Sequence, residues 1–321
     1  MQLTIGIDIG GTNTKLGIVT KKGEILRRAN FRTDAYTDEY SYADKLAQEC
    51  RQLMLETEQE LGAVDCEWRG AGIGAPNGNS LNNSIMDAPN LNFKGTVPLA
   101  DMLKQRIKLP KVYLTNDANA AAMGEKIYGG AKDYDNFIMI TLGTGLGSGV
   151  YINNQLINGH AGLAGEMGHM TLIPDGRVCG FGRRGSLENY CSATGIRRTF
   201  FELLSELGQA TALDSHPIAE IDAKMISDAA QAGDATCITT IERTADYLGQ
   251  ALASIALVTQ PAAFFLFGGP IAAGPVFINQ IRRAFESHLI PTYRGVIKIL
   301  TSELPASDAA LLGAAALVLD L

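Results

Sequence analysis

Residues 3–19 read LTIGIDIGGTNTKLGIV. Two runs rich in β-branched side chains, residues 3–8 and 15–19, flank the turn Gly10-Gly11-Thr12, and this arrangement is typical of two strands joined in a hairpin. Lys21-Lys22-Gly23 predicts a second turn that leads into a third strand. We therefore predict that the chain opens with antiparallel strands.

A similar pattern returns in the middle of the chain. Residues 137–142 form an apolar run, residues 143–149 are rich in glycine, and Val150–Ile152 predict a return strand. Gly143-Thr144-Gly145 thus occupies the same place between strands as Gly10-Gly11-Thr12. We interpret the similarity as a weak internal duplication, which is expected of two similarly wound halves.

Elsewhere the predicted strands and helices alternate. Short apolar runs predict strands at residues 71–75, 112–115, 263–267 and 296–301. Helical spacing predicts helices at residues 38–61, 98–107, 118–128, 186–207, 237–260, 276–288 and 308–319. The alternation indicates mixed α/β layers around two sheets. We expect an N-terminal α/β domain at residues 1–117, with the terminal helix at about 306–321 packing back on it, and a larger C-terminal domain at 118–305.

Composition excludes several classes of protein. The 321 residues are 46% hydrophobic and 19% charged, enough apolar material for two packed domains. A net charge of -7 without a dense Lys or Arg run argues against nucleic-acid binding. The apolar stretches are short and interrupted, so we expect no membrane span. Five cysteines without framework spacing suit a reducing compartment, and we predict a cytoplasmic protein.

The two glycine turns are candidate anion sites. Glycine permits close approach, so backbone N–H groups and threonine hydroxyls can face a phosphate. A single turn of this kind is more often only a hairpin turn. The P-loop pattern G-x-x-x-x-G-K-[ST] is absent from the sequence, and the glycines of residues 143–149 do not fit G-x-G-x-x-G. Phosphate is the predicted ligand of the two turns.

Two aspartates follow predicted strands. Asp8 ends an apolar strand, where a carboxylate needs a cation or donors. A role linked to magnesium fits, but Asp8 taken alone is better explained as bonding to its own turn. Asn116-Asp117 lies between a strand and a helix, where α/β sheets expose side chains to a crevice. Asp117 taken alone is better explained as a helix N-cap.

A third polar group follows the second turn. Glu166 and His169 lie in the stretch Gly165-Glu166-Met167-Gly168-His169, and Glu188 follows the loop at residues 174–185. Two carboxylates and an imidazole beside a glycine-rich backbone can bind several hydroxyls of a sugar at once. The alternative is exposed polar residues without a ligand. Three such groups on one stretch favour a binding site.

Together these motifs resemble the ROK family of sugar kinases and sugar-responsive repressors, within the larger class that shares the actin and hexokinase ATPase fold. The resemblance covers nearly the whole chain, and the order and spacing of the motifs are specific. The motifs are DIGGTNTK at 8–15, GIGAP at 72–76, APNL at 88–91, NDANA at 116–120, LGTGLG at 142–147, GEMGH at 165–169 and GGP at 268–270. The resemblance implies a two-domain actin-like ATPase (ribonuclease H-like) fold, with mixed sheets flanked by helices and an interdomain cleft.

The resemblance also implies an activity and its residues. It implies ATP-dependent phosphorylation of a hexose, most simply glucose to glucose 6-phosphate, with Asp117 as the catalytic base, Mg²⁺ bound by Asp8 through water, and a homodimer. The residues implied to hold ATP are Asp8, Gly10, Gly11, Thr12, Asn13, Lys15, Gly143, Thr144 and Gly145, with Gly268 and Gly269 beside the adenosine. The implied sugar ligands are Asn90, Asn116, Asp117, Glu166, His169 and Glu188.

One departure from the family pattern concerns zinc. The family often binds a structural zinc with one His and three Cys, in a C-x-C-G-x-x-G-C-x-E pattern. The matching positions here are Cys179, Phe181, Gly182, Gly185, Ser186 and Glu188. Two thiolates are missing, and Cys179 with His169 cannot complete a tetrahedral site. Cys191 falls inside a predicted helix and is interpreted as a buried apolar residue.

We therefore predict no zinc in this chain. Another interaction must then order the loop at residues 174–185. Pairing of Arg183 or Arg184 with a carboxylate is one candidate.

Several alternatives stay open or are argued against by the residues. Kinases for N-acetylglucosamine, N-acetylmannosamine or fructose share the same motifs, so the sugar is undetermined. A DNA-binding repressor would need a helix-turn-helix ahead of the first glycine turn, and we expect none because Asp8 lies so near the first residue. A non-catalytic sugar-sensing regulator is also conceivable, although Asp117 and both turns favour an enzyme.

Overall fold

The computed structural model describes residues 1–272 and 274–319. The elements of the first part of the chain are β1 (Gln2–Ile9), β2 (Asn13–Thr20), β3 (Ile25–Arg32), α1 (Glu39–Leu61), β4 (Glu67–Ala75), β5 (Gly78–Asn79), β6 (Ser84–Met86), β7 (Thr96–Val97), α2 (Leu99–Arg106), β8 (Val112–Asn116) and α3 (Asp117–Ile127). Those of the second part are β9 (Phe137–Leu142), β10 (Leu146–Ile152), β11 (Gln155–Leu156), α4 (Glu188–Cys191), α5 (Ala193–Leu207), α6 (Ala223–Gln231), α7 (Ala235–Thr259), β12 (Ala263–Phe267), α8 (Gly269–Ala272), α9 (Pro275–His288), β13 (Lys298–Thr301) and α10 (Ala309–Ala316).

Two five-stranded sheets repeat one arrangement. The first has the order β3-β2-β1-β4-β8, and the second has the order β11-β10-β9-β12-β13. In the first sheet β1, β2 and β3 are antiparallel, while β4 and β8 run parallel to β1. In the second sheet β9, β12 and β13 are parallel. The predicted mixed α/β fold is confirmed, and the shared strand order agrees with the predicted duplication.

The chain forms two compact units. Unit 1 consists of residues 1–134 and 149–165 with the segment from Glu303 onward, and unit 2 consists of residues 135–148 and 166–302. The predicted boundary at residue 117 differs from this division, because α3 lies in unit 1. The Glu125 carboxylate of α3 accepts hydrogen bonds from Gly130 N (2.7 Å) and from Glu303 N (3.1 Å), which ties α3 to the C-terminal segment.

Helix α10 packs on the first sheet because glycines let its backbone approach. A Cβ atom on Gly6 of β1 would lie 2.1 Å from Leu311 O, and one on Gly72 of β4 would lie 1.8 Å from Ala314 O. The terminal helix therefore belongs to unit 1, where it was expected to pack. Asp320 and Leu321, which the predicted helix includes, lie outside the described residues.

Helix α1 covers part of the same core and matches its prediction closely. Asp38 caps its N-terminus, where the carboxylate accepts from Tyr40 N and Ser41 N, and this satisfies donors that a helix start leaves free. Tyr42, Leu46 and other buried residues recur every three or four positions along α1. This spacing turns one apolar stripe toward the core.

Some predicted elements differ from the structure. The helix predicted at 186–207 is broken at Ser192, whose extended backbone (φ -71°, ψ 169°) ends α4 and whose side chain accepts from Gly195 N to cap α5. The turn predicted at 143–149 is shorter, because β10 begins at Leu146. Helix α6 and the small sheet β5-β6-β7 were not predicted.

No helix within residues 1–272 and 274–319 has both the length and the apolar character of a membrane span.

Candidate functional site

The first group of predicted site residues lies where parallel strands of unit 1 end. The register aligns Asp8 of β1 with Gly74 of β4, and Gly74 with Thr115 of β8. Neighbouring strands lie about 4.8 Å apart, so Asp8 and the residues that follow Thr115 lie at one edge of the sheet. Gly74 between them has no side chain. Asp8 and Asp117 therefore belong to one cluster, although they stand in separate sequence motifs.

The charges of this cluster interact. Burial is the main cause that raises the pKa of Asp8, Lys15 partly offsets the rise, and the Asp117 carboxylate adds to it. Lys15 stands directly across from Asp8 on β2. A buried carboxylate beside a second carboxylate favours a nearby cation. This cluster is therefore suited to bind a positive charge.

Asn116, not Asp117, is the N-cap of α3. Asn116 Oδ1 accepts from Asn119 N at 2.6 Å, so the interpretation of Asp117, taken alone, as the N-cap is wrong. Asp117 is the first residue of α3, and its Oδ1 accepts from Ala118 N at 2.9 Å. Asp117 is accessible to solvent, but protein atoms crowd its carboxylate, and the desolvation raises the pKa of Asp117. A raised pKa suits a group that accepts a proton.

The first glycine turn contacts a predicted sugar ligand. Gly10 N donates to Asn13 O at 2.9 Å, and Thr12 O accepts from Thr33 N at 2.9 Å, so both ends of the turn are fixed. A Cβ on Gly11 would lie 2.8 Å from Asn90 O. The backbone of Asn90 is thus packed against the turn, and its exposed side chain lies in the same unit as Asp117.

The second glycine turn is held by the junction of α4 and α5. Gly143 O accepts from Ala193 N at 2.9 Å, and Thr144 O accepts from Thr194 Oγ1 at 3.2 Å. Glu188 Oε2 accepts from Leu146 N at 3.0 Å. A predicted sugar ligand and a predicted phosphate turn are therefore in direct contact within unit 2.

Glu166 and His169 lie beside the same turn. Gly168 packs against Leu146, since a Cβ on Gly168 would lie 2.2 Å from Leu146 O. His169 Nε2 is 3.8 Å from Glu166 Oε2. The His169 ring also meets the ring of Phe181 edge-on, with centroids 5.2 Å apart. Phe181 stands where the family pattern has a cysteine, so this position still contacts His169.

The two remaining predicted residues also follow a strand. Gly268 comes directly after β12, and Gly269 begins α8. Strand β12 is parallel to β9 and pairs Phe267 with Thr141, two residues before Gly143. Gly268 and the second glycine turn thus lie at the same edge of the second sheet, where a nucleotide could contact both.

The loop at residues 174–185 is anchored by Arg177, not by Arg183 or Arg184. Arg184 Nη1 donates to Gly176 O inside the loop (3.3 Å), whereas Arg177 pairs with Glu202 of α5. No sequence motif marks Arg177, so the sequence missed it. Cys191 is fully buried, and burial raises the pKa of its thiol, which agrees with its interpretation as an apolar residue.

Magnesium can be tested against the residues present. In residues 1–272 and 274–319 no three His, Cys, Asp or Glu side chains are grouped to hold a metal. Asp8, with Asp117 close enough to affect its pKa, offers carboxylate oxygen for a divalent cation. Mg²⁺ is usually held by one or two carboxylates together with phosphates and waters. The cluster fits an ion that arrives with a nucleotide.

Known proteins resemble most or nearly all of the chain. The family model described as "ROK family" matches residues 4–321. A glucokinase of Streptomyces coelicolor is 35% identical over 98% of this chain and 97% of its own length. A xylose repressor of Bacillus spizizenii is 32% identical over 78% of this chain but only 61% of its own length.

A solved structure agrees with the fold. A ROK family glucokinase from Streptomyces griseus, in complex with glucose and AMPPNP, superposes with a TM-score of 0.79 at 34% identity, covering 98% of each chain. The predicted actin-like ATPase fold of sugar kinases is thereby confirmed. Since the family model spans nearly the whole chain, this protein belongs to the ROK family.

Proposed function

We propose that the chain is an ATP-dependent sugar kinase that phosphorylates a hexose, with glucose as the preferred substrate. The single observation that carries the proposal is the Asp117 carboxylate. It stands at the start of α3, beside Asp8, with its pKa raised by desolvation and the cap position already filled by Asn116. The names of the relatives, among them glucokinases, support the same class of enzyme.

In this proposal Asp117 accepts the proton of the hexose primary hydroxyl while that oxygen attacks the γ-phosphorus of ATP. A carboxylate in this position contributes by orienting the hydroxyl and removing its proton. Bound ATP with Mg²⁺ supplies the phosphoryl group and neutralises its charge. The backbone N–H groups of residues 10–13 and 143–145 bind phosphate oxygens, Lys15 adds a positive charge, and Gly268 and Gly269 give room to the adenosine.

The sugar ligands that we propose differ in what they offer. Asn116 Oδ1 is used by the helix cap, so its amide nitrogen is the group left to donate. Asn90 offers both a donor and an acceptor. Glu188 accepts from Leu146 N with one oxygen and has a second oxygen for a hydroxyl. Glu166 and His169 complete the set, since a hexose needs several fixed donors and acceptors.

The experiment is a comparison of sugars. Purified protein is mixed with ATP, Mg²⁺ and glucose, N-acetylglucosamine, N-acetylmannosamine or fructose, and kcat/KM is measured for each. We expect the highest value for glucose. A higher value for one of the other sugars would replace glucose but keep the kinase. Sugar binding without any transfer would favour a sensing regulator instead. A homodimer and a cytoplasmic location stay predictions.

A further inference from the structure

Arg177 is surrounded by acceptors on every side. Its Nε donates to Glu202 Oε1 at 2.9 Å, and Nη2 donates to Thr199 Oγ1 at 2.9 Å and to the second Glu202 oxygen. Its Nη1 donates to Asn189 O at 2.7 Å and to Gly195 O at 3.2 Å. These five bonds use all five N–H donors of a guanidinium.

The surroundings of Arg177 are built for this side chain. Only 10% of its side chain is exposed, and the guanidinium lies 4.4 Å from the centroid of the Tyr190 ring. The Tyr190 hydroxyl accepts from Arg177 N at 2.8 Å, so backbone and side chain meet the same residue. A flat guanidinium that stacks and donates in a fork cannot be replaced by an ammonium group.

The acceptors of Arg177 lie on the two helices that hold the second glycine turn. Asn189 belongs to α4, directly after Glu188, while Gly195 and Thr199 belong to the first turns of α5. At the junction between these helices, Ala193 N donates a hydrogen bond to Gly143 O, and the Glu188 carboxylate accepts one from Leu146 N. One acceptor of Arg177, Asn189, is the residue next to the proposed sugar ligand Glu188. Another acceptor, Gly195, lies two residues after Ala193, which contacts the turn.

We propose that Arg177 is a positioning residue. It fixes the α4–α5 junction and thereby sets both the Glu188 carboxylate and the turn at residues 143–146. This role rests on the proposed function, in which Glu188 binds sugar and the turn binds phosphate. A loss at Arg177 would therefore weaken binding of hexose and of ATP together, although Arg177 itself is a partner of neither.

Helix α5 offers a matched control in Arg197. Arg197 also donates to two backbone carbonyls, Ile221 O and Ile218 O, each at 2.8 Å, and its guanidinium lies 5.2 Å from the centroid of the Phe201 ring. It thus ties α5 to residues 218–221 and not to the α4–α5 junction. Arg177→Met removes five hydrogen bonds and Arg197→Met removes two, and each change removes a guanidinium that ties α5 to another segment. Glu202 is 51% exposed, so water can solvate its carboxylate in Arg177→Met.

The first readout is hydrogen exchange, which needs no turnover. We expect the amides of Leu146 and Ala193 to exchange at least about tenfold faster in Arg177→Met than in the wild type, because their bonds depend on the junction. In Arg197→Met these two amides keep their wild-type rates. Equal rates at both amides in Arg177→Met and the wild type would overturn the proposal, as would a uniform increase that Arg197→Met reproduces.

The second readout is kinetic. We expect Arg177→Met to raise KM for hexose and for ATP by about tenfold each, while Arg197→Met leaves both values unchanged. Unchanged KM values in Arg177→Met would reject the inference alone, whereas a wild type that phosphorylates no sugar would reject the proposed function. Arg177→Lys keeps the charge without the fork, so it takes the place of Arg177→Met if that variant does not fold, with the same expected and contradicting results.

Discussion

The two five-stranded sheets share a strand order but carry different side chains at the same places. Each sheet has a glycine turn after a central strand, Gly10-Gly11-Thr12 after β1 and Gly143-Thr144-Gly145 after β9. In the first sheet Asp8 stands two residues before the turn, and β8 leads into Asp117. In the second sheet the residue two positions before the turn is Thr141, which is uncharged.

The difference separates what a duplicated backbone can supply from what side chains must supply. Backbone N–H groups suit phosphate oxygens in either sheet, so both turns can be kept for this purpose. A proton acceptor is needed at one place only, and a further carboxylate beside the phosphates would repel them. The acids of unit 1 thus mark where the chemistry is expected, and the turn of unit 2 marks a place for binding.

The largest expected effect follows from removing the acid of the first sheet. Asp117→Asn keeps the shape of the side chain but not its capacity to accept a proton, so we expect kcat to fall by about 10²- to 10⁴-fold. Glucose binding, measured by calorimetry, should persist. Asp101→Asn, a charge-matched change on α2 of the same unit, serves as control and should keep its kcat. Near-normal activity of Asp117→Asn would remove Asp117 from the proposed role.

The pH dependence of kcat follows from the same carboxylate. Desolvation raises the pKa of Asp117, and a base works only when deprotonated. We therefore expect kcat to fall about tenfold per pH unit on the acidic side, beginning above the pH at which an ordinary aspartate titrates. A pH–rate profile measures this limb. A flat profile down to the ordinary pKa of aspartate would contradict the raised value.

Alanine substitutions in the second turn separate two kinds of binding. A Cβ on Gly145 would lie 2.5 Å from Glu188 Oε2, whereas a Cβ on Gly143 meets no atom within 4 Å. Gly145→Ala should push Glu188 aside and raise KM for hexose by up to about tenfold. Gly143→Ala should keep stability and the hexose KM but raise KM for ATP, because the added methyl faces the approaching phosphates. A wild-type KM for hexose in Gly145→Ala would contradict the proposal that Glu188 binds the sugar.

The smallest expected effect concerns stability without nucleotide. Because the pKa of Asp8 is raised in the fold, mainly by burial, its ionised form destabilises the folded state. Asp8→Asn should therefore raise the thermal midpoint at neutral pH. The gain should shrink as the pH falls from the raised pKa of Asp8 through the ordinary pKa of aspartate, below which Asp8 is protonated in both states. Thr141→Val at the corresponding place in the second sheet is the control, and its midpoint difference should not vary with pH.

Much of the fold could be predicted because its signals are local. The strands around Gly10-Gly11-Thr12 and the capped helix after Asp38 follow from residues that are neighbours in sequence. The break at Ser192 was not predicted, because residues 188–207 keep helical spacing and the N-cap of α5, Ser192, lies inside that pattern. The two compact units divide elsewhere than at the predicted residue 117, and Glu125 of α3 shows why, since it binds a segment far away in sequence.

The candidate site shows the same limit. Asp8, Asp117 and the glycines stand in motifs, so sequence indicated them without any geometry. Arg177 stands in no motif, and its importance depends on acceptors from Asn189, Gly195 and Glu202, which only the fold brings together. The contact between Glu188 and Leu146 likewise joins two motifs that the sequence could only treat apart.

The most direct test is to identify the product formed from ATP and glucose. Wild-type protein is incubated with Mg²⁺, ATP and glucose, and phosphorus NMR follows the fate of the γ-phosphate. We predict that it appears on the primary hydroxyl as glucose 6-phosphate, and that little free phosphate forms when glucose is omitted. Release of free phosphate at the same rate with and without sugar, and no phosphorylated hexose, would contradict the account.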